Sequence, residues 1–288
     1  MLFLILKEKR YDSVRARMGH IKFLNCFPVL YGLRVLGLFP ENRLVKGTPS
    51  QLNRMLVNNE LDVAPISSIE YARNAGDLLL VPDISVSCDG RVMSILVFSR
   101  LPIDELGGRK IALTSASATS HVLLRILMER KYGIEARYVV MEPDLDCMLG
   151  EADAALLIGD DAMLCHQNAP RDLFVYDLGQ EWKDYTGEAM VCAVWAVRRD
   201  FARNNLAEVA GIQQALVNSV QASLNRLPEV AREAGNGKAF SPDYLEEYFS
   251  TLKFDFTDEL MKGLRRYYRE AHEIGLLEDV PSLEFLEV

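Results

Sequence analysis

With 288 residues, about half of them apolar, the chain can fill one large or two ordinary domains around a real hydrophobic core. A formal net charge of −9 argues against nucleic acid as a partner, because no basic surface stands out to neutralise phosphates. No run approaches the ~20 apolar residues of a membrane-spanning helix, and five scattered cysteines without a C-x-x-C pair read as free thiols in a reducing, cytoplasmic setting.

Residues 1–15 read as an extension before the first domain strand; the short apolar start Met1–Leu6, followed by Lys7-Glu8-Lys9-Arg10, makes a poor signal peptide. Arg17–Phe23 reads as a strand, and a helix runs from Pro28 to about Leu38. After a short strand at Leu44–Lys46, Thr48-Pro49-Ser50-Gln51 has the form of a capping box with Pro at the first helical position. Val63–Ile66 is an apolar strand, and Ser67-Ser68-Ile69-Glu70 has the form of a second capping box. Leu78–Val81 and Val92–Phe98 follow as strands. Arg109–Leu113, a helix from Ser120 to about Tyr132, Arg137–Met141, a short helix at Asp144–Leu149 and the strand Ala154–Ile158 repeat the rhythm, which implies βαβ units and a mainly parallel sheet. The strand-like run Val191–Val197 precedes a helical tail at Phe201–Leu227, Pro242–Leu252 and Asp258–Leu277, with Pro228 and Gly235-Asn236-Gly237 as breaks.

Asn59-Glu60-Leu61-Asp62-Val63-Ala64 and Gly150-Glu151-Ala152-Asp153-Ala154-Ala155 echo one another, each placing an Asp before a strand, as two similar lobes would. Coincidence in a six-residue window is the competing reading.

The hydroxyl-rich run Thr114-Ser115-Ala116-Ser117-Ala118-Thr119-Ser120 lies between a strand and a helix. Free backbone N–H groups and the positive end of the helix dipole converge there, so a carboxylate or phosphate can bind without Lys or Arg; ordinary helix capping is the other reading. Asn25 ends Phe23-Leu24-Asn25 as a turn residue or as an amide aimed at a ligand. Ser94, inside the apolar run Val92–Phe98, bonds backbone or faces a cleft, and Asp160 caps the next helix or lines that cleft. Cys26 is an inert buried thiol or one activated by a helix start. Trp182 packs in the core or on a ring. Four histidines show no metal spacing, and there is no G-x-S-x-G elbow, Walker loop or G-x-G-x-x-G fingerprint.

Several short motifs in order carry a family likeness: Gly19-His20-Ile21-Lys22-Phe23-Leu24-Asn25-Cys26, Gly47-Thr48-Pro49, Asp62–Ser67, Pro82–Val86, Cys88-Asp89-Gly90, Met93-Ser94, Ser115–Ser120, Glu151–Ala154, Leu157–Asp160, Asp177-Leu178-Gly179, Trp182 and Ala193–Ala196. Over roughly residues 15–200 the chain closely resembles the chorismate dehydratases, the MqnA family of the futalosine route to menaquinone; the helical tail resembles them weakly. The resemblance implies an α/β, type II periplasmic-binding-protein-like fold, two lobes each with a mixed, mainly parallel sheet flanked by helices. We expect the first lobe to span 16–97 plus 198–288 and the second 98–197.

The implied reaction is loss of water from chorismate to give 3-[(1-carboxyvinyl)oxy]benzoate, without metal or organic cofactor. The family's cleft Asn and Ser match Asn25 and Ser94, and Ser115, Ser117, Thr119, Ser120 and Asp160 are the expected substrate-binding residues. Chorismate is the expected partner, with no nucleic acid and no membrane; the sequence does not speak to oligomeric state. The alternatives are the sister enzyme that forms 1,4-dihydroxy-6-naphthoate from cyclic dehypoxanthinyl futalosine, and a non-catalytic organic-anion-binding protein.

Overall fold

The computed structural model describes residues 15–39, 43–168, 170, 172–237 and 239–287; the expected extension at 1–15 lies outside them except for Arg15. In chain order the elements are β1 (Met18–Ile21), α1 (Phe27–Leu36), β2 (Leu44–Gly47), α2 (Pro49–Val57), β3 (Val63–Ser67), α3 (Ser68–Arg73), β4 (Leu78–Cys88) and β5 (Ile95–Ser99). Then follow β6 (Lys110–Thr114), α4 (Thr119–Ile126), β7 (Arg137–Met141), α5 (Leu145–Glu151), β8 (Ala154–Ile158), α6 (Gly159–Asn168), β9 (Phe174–Asp177), α7 (Leu178–Thr186) and β10 (Met190–Arg198). The tail holds α8 (Arg199–Asn204), α9 (Leu206–Leu224), α10 (Leu227–Ala234), α11 (Pro242–Thr251), β11 (Leu252–Lys253) and α12 (Asp258–Glu273).

Two sheets form, ordered β11-β4-β10-β3-β1-β2 and β7-β6-β8-β5-β9. Each has a parallel trio, β2-β1-β3 and β7-β6-β8, and each trio is completed by antiparallel strands. The antiparallel share exceeds what strand–helix alternation implies, because the chain crosses between sheets twice. β5 enters the second sheet antiparallel to β8, and β10 returns to the first antiparallel to β3. By hydrogen bonding, the chain leaves the first sheet before Ile95 and rejoins it at Met190.

The echo is physical. Asp62 Oδ2 accepts from the Arg17 N–H at 2.8 Å, and Asp62 N–H donates to Arg17 O at 2.9 Å. Asp153 Oδ2 accepts from Lys110 N–H at 3.1 Å, and Asp153 N–H donates to Lys110 O at 2.9 Å. In both lobes an Asp before the third strand of the trio closes the start of its parallel neighbour.

Local chemistry fixes most helix starts. The Thr48/Gln51 capping box forms reciprocally. The Ser67 box does not: Ser67 Oγ accepts from Asn53 Nδ2 and Ser67 N–H donates to Asn53 Oδ1, so a tertiary partner replaces the local one. The break expected at Pro228 falls at Asn225–Arg226, and Pro228 sits in the first turn of α10, a position where its missing N–H costs nothing. The strand expected at Leu78–Val81 runs on to Cys88 through Pro82 and Asp83, the latter at φ 64°. In the tail, α9 packs on α1 so closely that a Cβ on Gly32 would lie 2.0 Å from Ser219 O, and α12 packs against β10 and α4. No helix among the described residues is long and apolar enough to cross a membrane.

Burial pushes the Asp62 carboxyl up, but the Arg17 hydrogen bonds and the Arg198 charge outweigh it and hold it below the ordinary range. Asp62→Ala should cost about 1–3 kcal/mol at neutral pH, measured by urea unfolding. Because the folded carboxyl is the more acidic, that gap is complete above the unfolded value of about 3.9 and shrinks as pH falls through the lower folded one. A gap unchanged down to acid pH would contradict the assignment.

Candidate active site

The carboxyl ends of β1, β3 and β8 and the loop after β6 converge on a pocket between the sheets, where α/β folds place ligands. It is a cavity of about 50 Å³ beside a wider mouth of about 650 Å³, with Phe23 in the wall of both. The inner volume is well below the roughly 300–1,000 Å³ of most small-molecule sites. The lobes already touch here: Gly159, at φ 62°, backs onto the Phe23 ring so tightly that a Cβ would lie 2.9 Å from ring atoms.

Asn25 lies in the single 3-10 turn Leu24–Cys26 that follows β1 and lines the pocket. Its Oδ1 is buried with no hydrogen-bond partner among the described residues. Such an atom costs stability unless a ligand or water satisfies it. Ser120, in the first turn of α4, lines the same pocket, and its buried Oγ is unsatisfied in the same way.

Ser94 also lines the pocket, but it precedes β5 instead of lying within a strand. Its backbone is tightly held. Met93 adopts φ 63°, a costly region for a side-chain-bearing residue. Val92 and Met93 N–H groups donate to the Asp177 carboxylate at 3.1 and 2.7 Å, and Gly159 N–H donates to Ser94 O at 2.7 Å. The Ser94 hydroxyl accepts from Tyr248 Oη–H at 3.0 Å and lies 3.4 Å from Val92 O.

The Ser/Thr loop divides. Ser117 lines the pocket and its Oγ accepts from Ser120 N–H at 3.4 Å, so it both caps and lines. Helix α4 begins after Ala118, which has no side-chain cap to offer, and the first N–H groups of a helix have no partner within it. Thr119 is in the wall, but its Oγ1 is engaged by Ser68 Oγ at 3.3 Å and Ile69 N–H at 3.4 Å. Ser115 is at the mouth instead, donating to Glu142 Oε1 at 3.0 Å. Asp160 is not among the pocket-lining residues: its Oδ1 accepts from Leu24 N–H at 2.8 Å, across the lobe boundary. That bond ties down the turn carrying Asn25.

Other expectations resolve plainly. Burial pushes the Cys26 thiol up to about 12, so it is inert. Trp182 is fully buried, edge-on to Tyr185 and Tyr267, and donates to Ala189 O at 3.3 Å. Burial and the neighbouring Arg73 charge lower the His121 pKa, while a ring nitrogen bond to Thr114 O opposes them. No cluster of metal-ligating groups occurs among the described residues.

Several wall residues were not anticipated. Ser87 meets Ser85 Oγ at 2.7 Å, and Ser85 donates to Asp255 O at 2.6 Å; Ser85 has one hydrogen, so Ser87 donates to it and turns lone pairs to the pocket. The alternation Ile84-Ser85-Val86-Ser87 was a readable signal for a hydroxyl stripe. Cys192 reaches the pocket from a β-bulge, the extra residue between the Val191–Ser87 and Ala193–Val86 pairs. Among the described residues lining the inner pocket, Cys192 carries the one titratable side chain; no carboxylate, imidazole, Lys or Arg is among them. Charge sits at the mouth, with Lys22, Arg54 and Glu70 on one lobe and Glu142 and Asp161 on the other.

A protein family described as menaquinone biosynthesis matches residues 16–273. A chorismate dehydratase of Thermus thermophilus is 30% identical over 273 residues, covering 90% of this chain and 95% of that protein. A 1,4-dihydroxy-6-naphtoate synthase of the same organism is 24% identical over 243 residues, covering 82% and 85%. Among solved structures, a protein of Archaeoglobus fulgidus superposes with TM-score 0.77 at 19% identity, covering 92% of this chain and all of that one. The periplasmic aliphatic sulphonate binding protein of Escherichia coli superposes with TM-score 0.66 at 14% identity, covering 93% and 95%. At such identities the structural likeness shows the fold alone, a two-lobed periplasmic-binding-protein-like α/β fold, whereas the family match spans most of the chain: the protein belongs to the menaquinone-biosynthesis family that includes the chorismate dehydratases.

Proposed function

We infer that this chain is a chorismate dehydratase of menaquinone biosynthesis, converting chorismate to 3-[(1-carboxyvinyl)oxy]benzoate and water. One observation carries the reading beyond family membership. The pocket directs hydroxyls and an amide inward, two of its buried polar atoms await a partner, and no carboxylate or imidazole lines it among the described residues. That suits a reaction needing orientation more than an enzymic base. The C3–H electron pair forms the new ring bond, the C4–O bond breaks, and the C3 proton joins the departing hydroxide as water. The ring becomes aromatic, so the equilibrium lies with product.

The proton acceptor in this reading is the substrate's own enolpyruvyl carboxylate, which hangs from C3. Asn25 Oδ1 accepts the C4 hydroxyl hydrogen, and Ser94 donates to the enolpyruvyl carboxylate. The ring carboxylate lies at the start of α4, with Ser120 and backbone N–H groups as donors. The tight inner volume belongs to a closed state, so the lobes part for entry and close to exclude water. The free thiols of all five cysteines accord with a cytoplasmic location. The naphthoate-forming alternative needs a base in the cleft, and the described wall offers Cys192 alone.

Purified protein mixed with chorismate should abolish the diene absorbance and yield the enolpyruvyl benzoate; binding without that loss would favour a solute-binding protein. Asn25→Ala and Ser94→Ala should each lower turnover about 10²-fold or more, while Cys192→Ser keeps it. With substrate carboxylates ionised throughout, kcat/KM should be flat from about pH 6 to 8; a bell centred there would point to an enzymic base. Ser120→Ala should weaken binding yet leave the ligand-free protein as stable or more stable by about 1 kcal/mol, because it removes an unsatisfied buried hydroxyl. A clear loss of stability in urea would mean that Ser120 has an internal partner.

A further inference from the structure

We propose that Tyr248 is a positioning residue for the reaction: its phenol hydrogen occupies Ser94 Oγ and turns the serine hydrogen into the pocket, so that Ser94 acts as a donor to an anionic oxygen of the substrate. The proposal rests on the dehydratase reading.

Tyr248 comes from α11 in the helical tail, 154 residues from Ser94, and is completely buried. Its hydroxyl donates to Ser94 Oγ at 3.0 Å. A serine hydroxyl has one hydrogen and two lone pairs. With a lone pair taken, the hydrogen has two destinations: Val92 O at 3.4 Å, a long and weak contact for an O–H donor, or a ligand oxygen in the pocket. A carboxylate oxygen at normal distance wins that choice. Accepting from Tyr248 also polarises the Ser94 O–H and makes it a better donor.

Two further features keep the arrangement one-directional. Ser94 cannot swing away through its backbone, because Gly159 N–H holds its carbonyl and the Asp177 carboxylate holds the two preceding amides. The phenol stays protonated, since burial and the nearby Asp160 charge push its pKa well above the ordinary value although the Ser94 contact pulls it down. The pair therefore cannot reverse by loss of the Tyr248 proton at working pH.

Tyr248→Phe removes one oxygen and keeps the ring in its place against Phe249. The test compares wild type, Tyr248→Phe, Ser94→Ala and the double variant under single-turnover conditions with chorismate, with calorimetric binding of the product and thermal unfolding run alongside. Tyr248→Phe should lower the rate about 10-fold and weaken product binding, with little change in unfolding temperature. In the Ser94→Ala background the same substitution should change neither rate nor binding. A Tyr248→Phe enzyme with wild-type rate overturns the proposal. So does an equal loss in both backgrounds, which is what a purely structural tyrosine would give. Failure of wild type to consume chorismate would overturn the functional reading, and this proposal with it. Turnover that needs Ser94 but ignores Tyr248 would leave the functional reading standing.

Discussion

Ser68 and Thr119 start helices on opposite lobes, and their hydroxyls meet at 3.3 Å in the interior. The hydrogen count is fixed by the neighbours. Ser68 donates to Val191 O at 2.8 Å, so Thr119 donates to Ser68 and accepts from Ile69 N–H. Their carbonyls are taken as well: Tyr267 donates to Thr119 O at 2.9 Å and Tyr268 to Ser68 O at 2.7 Å. A buried polar group without a partner costs about 1–3 kcal/mol, and this knot satisfies each of these hydroxyls and carbonyls. It ties both helix starts to α12 and so aims the N-terminus of α4 at the pocket. One residue beyond it, Ser120 Oγ is left without a partner. Polar bonding is complete at Thr119 and open at Ser120, although both line the same pocket.

Features that depend on near neighbours were legible in the sequence. The Thr48 box, the strand–helix rhythm and the Asp before the third strand of each trio involve residues close in sequence or a repeated pattern. The paired Asp62 and Asp153 contacts show why a six-residue echo carried information: a carboxylate there closes the start of the adjacent parallel strand in either lobe. The clustering of Asn25, Ser117 and Ser120 in one pocket was also reachable, because each follows a strand or opens a helix on the cleft side, whereas Ser94, just before β5, was marked only by the family resemblance.

What was not legible depends on contacts that sequence distance hides. Ser67 has the spacing of a capping box, yet Asn53 offers both a donor and an acceptor to it and wins. Asp160 looks like a helix cap, and its carboxylate is taken by an amide from the other lobe. Thr119 and Ser120 are adjacent and chemically similar, and only packing decides that one hydroxyl is spent and the other open. Cys192 reads as part of an apolar strand until a bulge against β4 re-aims it. Tyr248 belongs to a tail whose helical pattern says nothing of a partner so far back along the chain.

A pocket with so few titratable groups explains how a solute-binding fold can carry an elimination. General acid–base help typically contributes 10²–10⁴-fold, whereas holding reacting groups in a near-attack geometry can supply about 7–11 kcal/mol. When the substrate brings its own carboxylate and gains an aromatic ring, orientation is the larger need. Two lobes that close on an anion already provide it, through helix N-terminal donors and exclusion of water. What separates an enzyme from a binding protein is then the sense of each hydrogen bond. Ser87 turns lone pairs inward and Asn25 an unmatched acceptor, and in the proposed arrangement Ser94 turns a hydrogen inward. A carboxylate can meet only a donor and a hydroxyl hydrogen only an acceptor, so the sense of each wall group sorts the substrate groups among them.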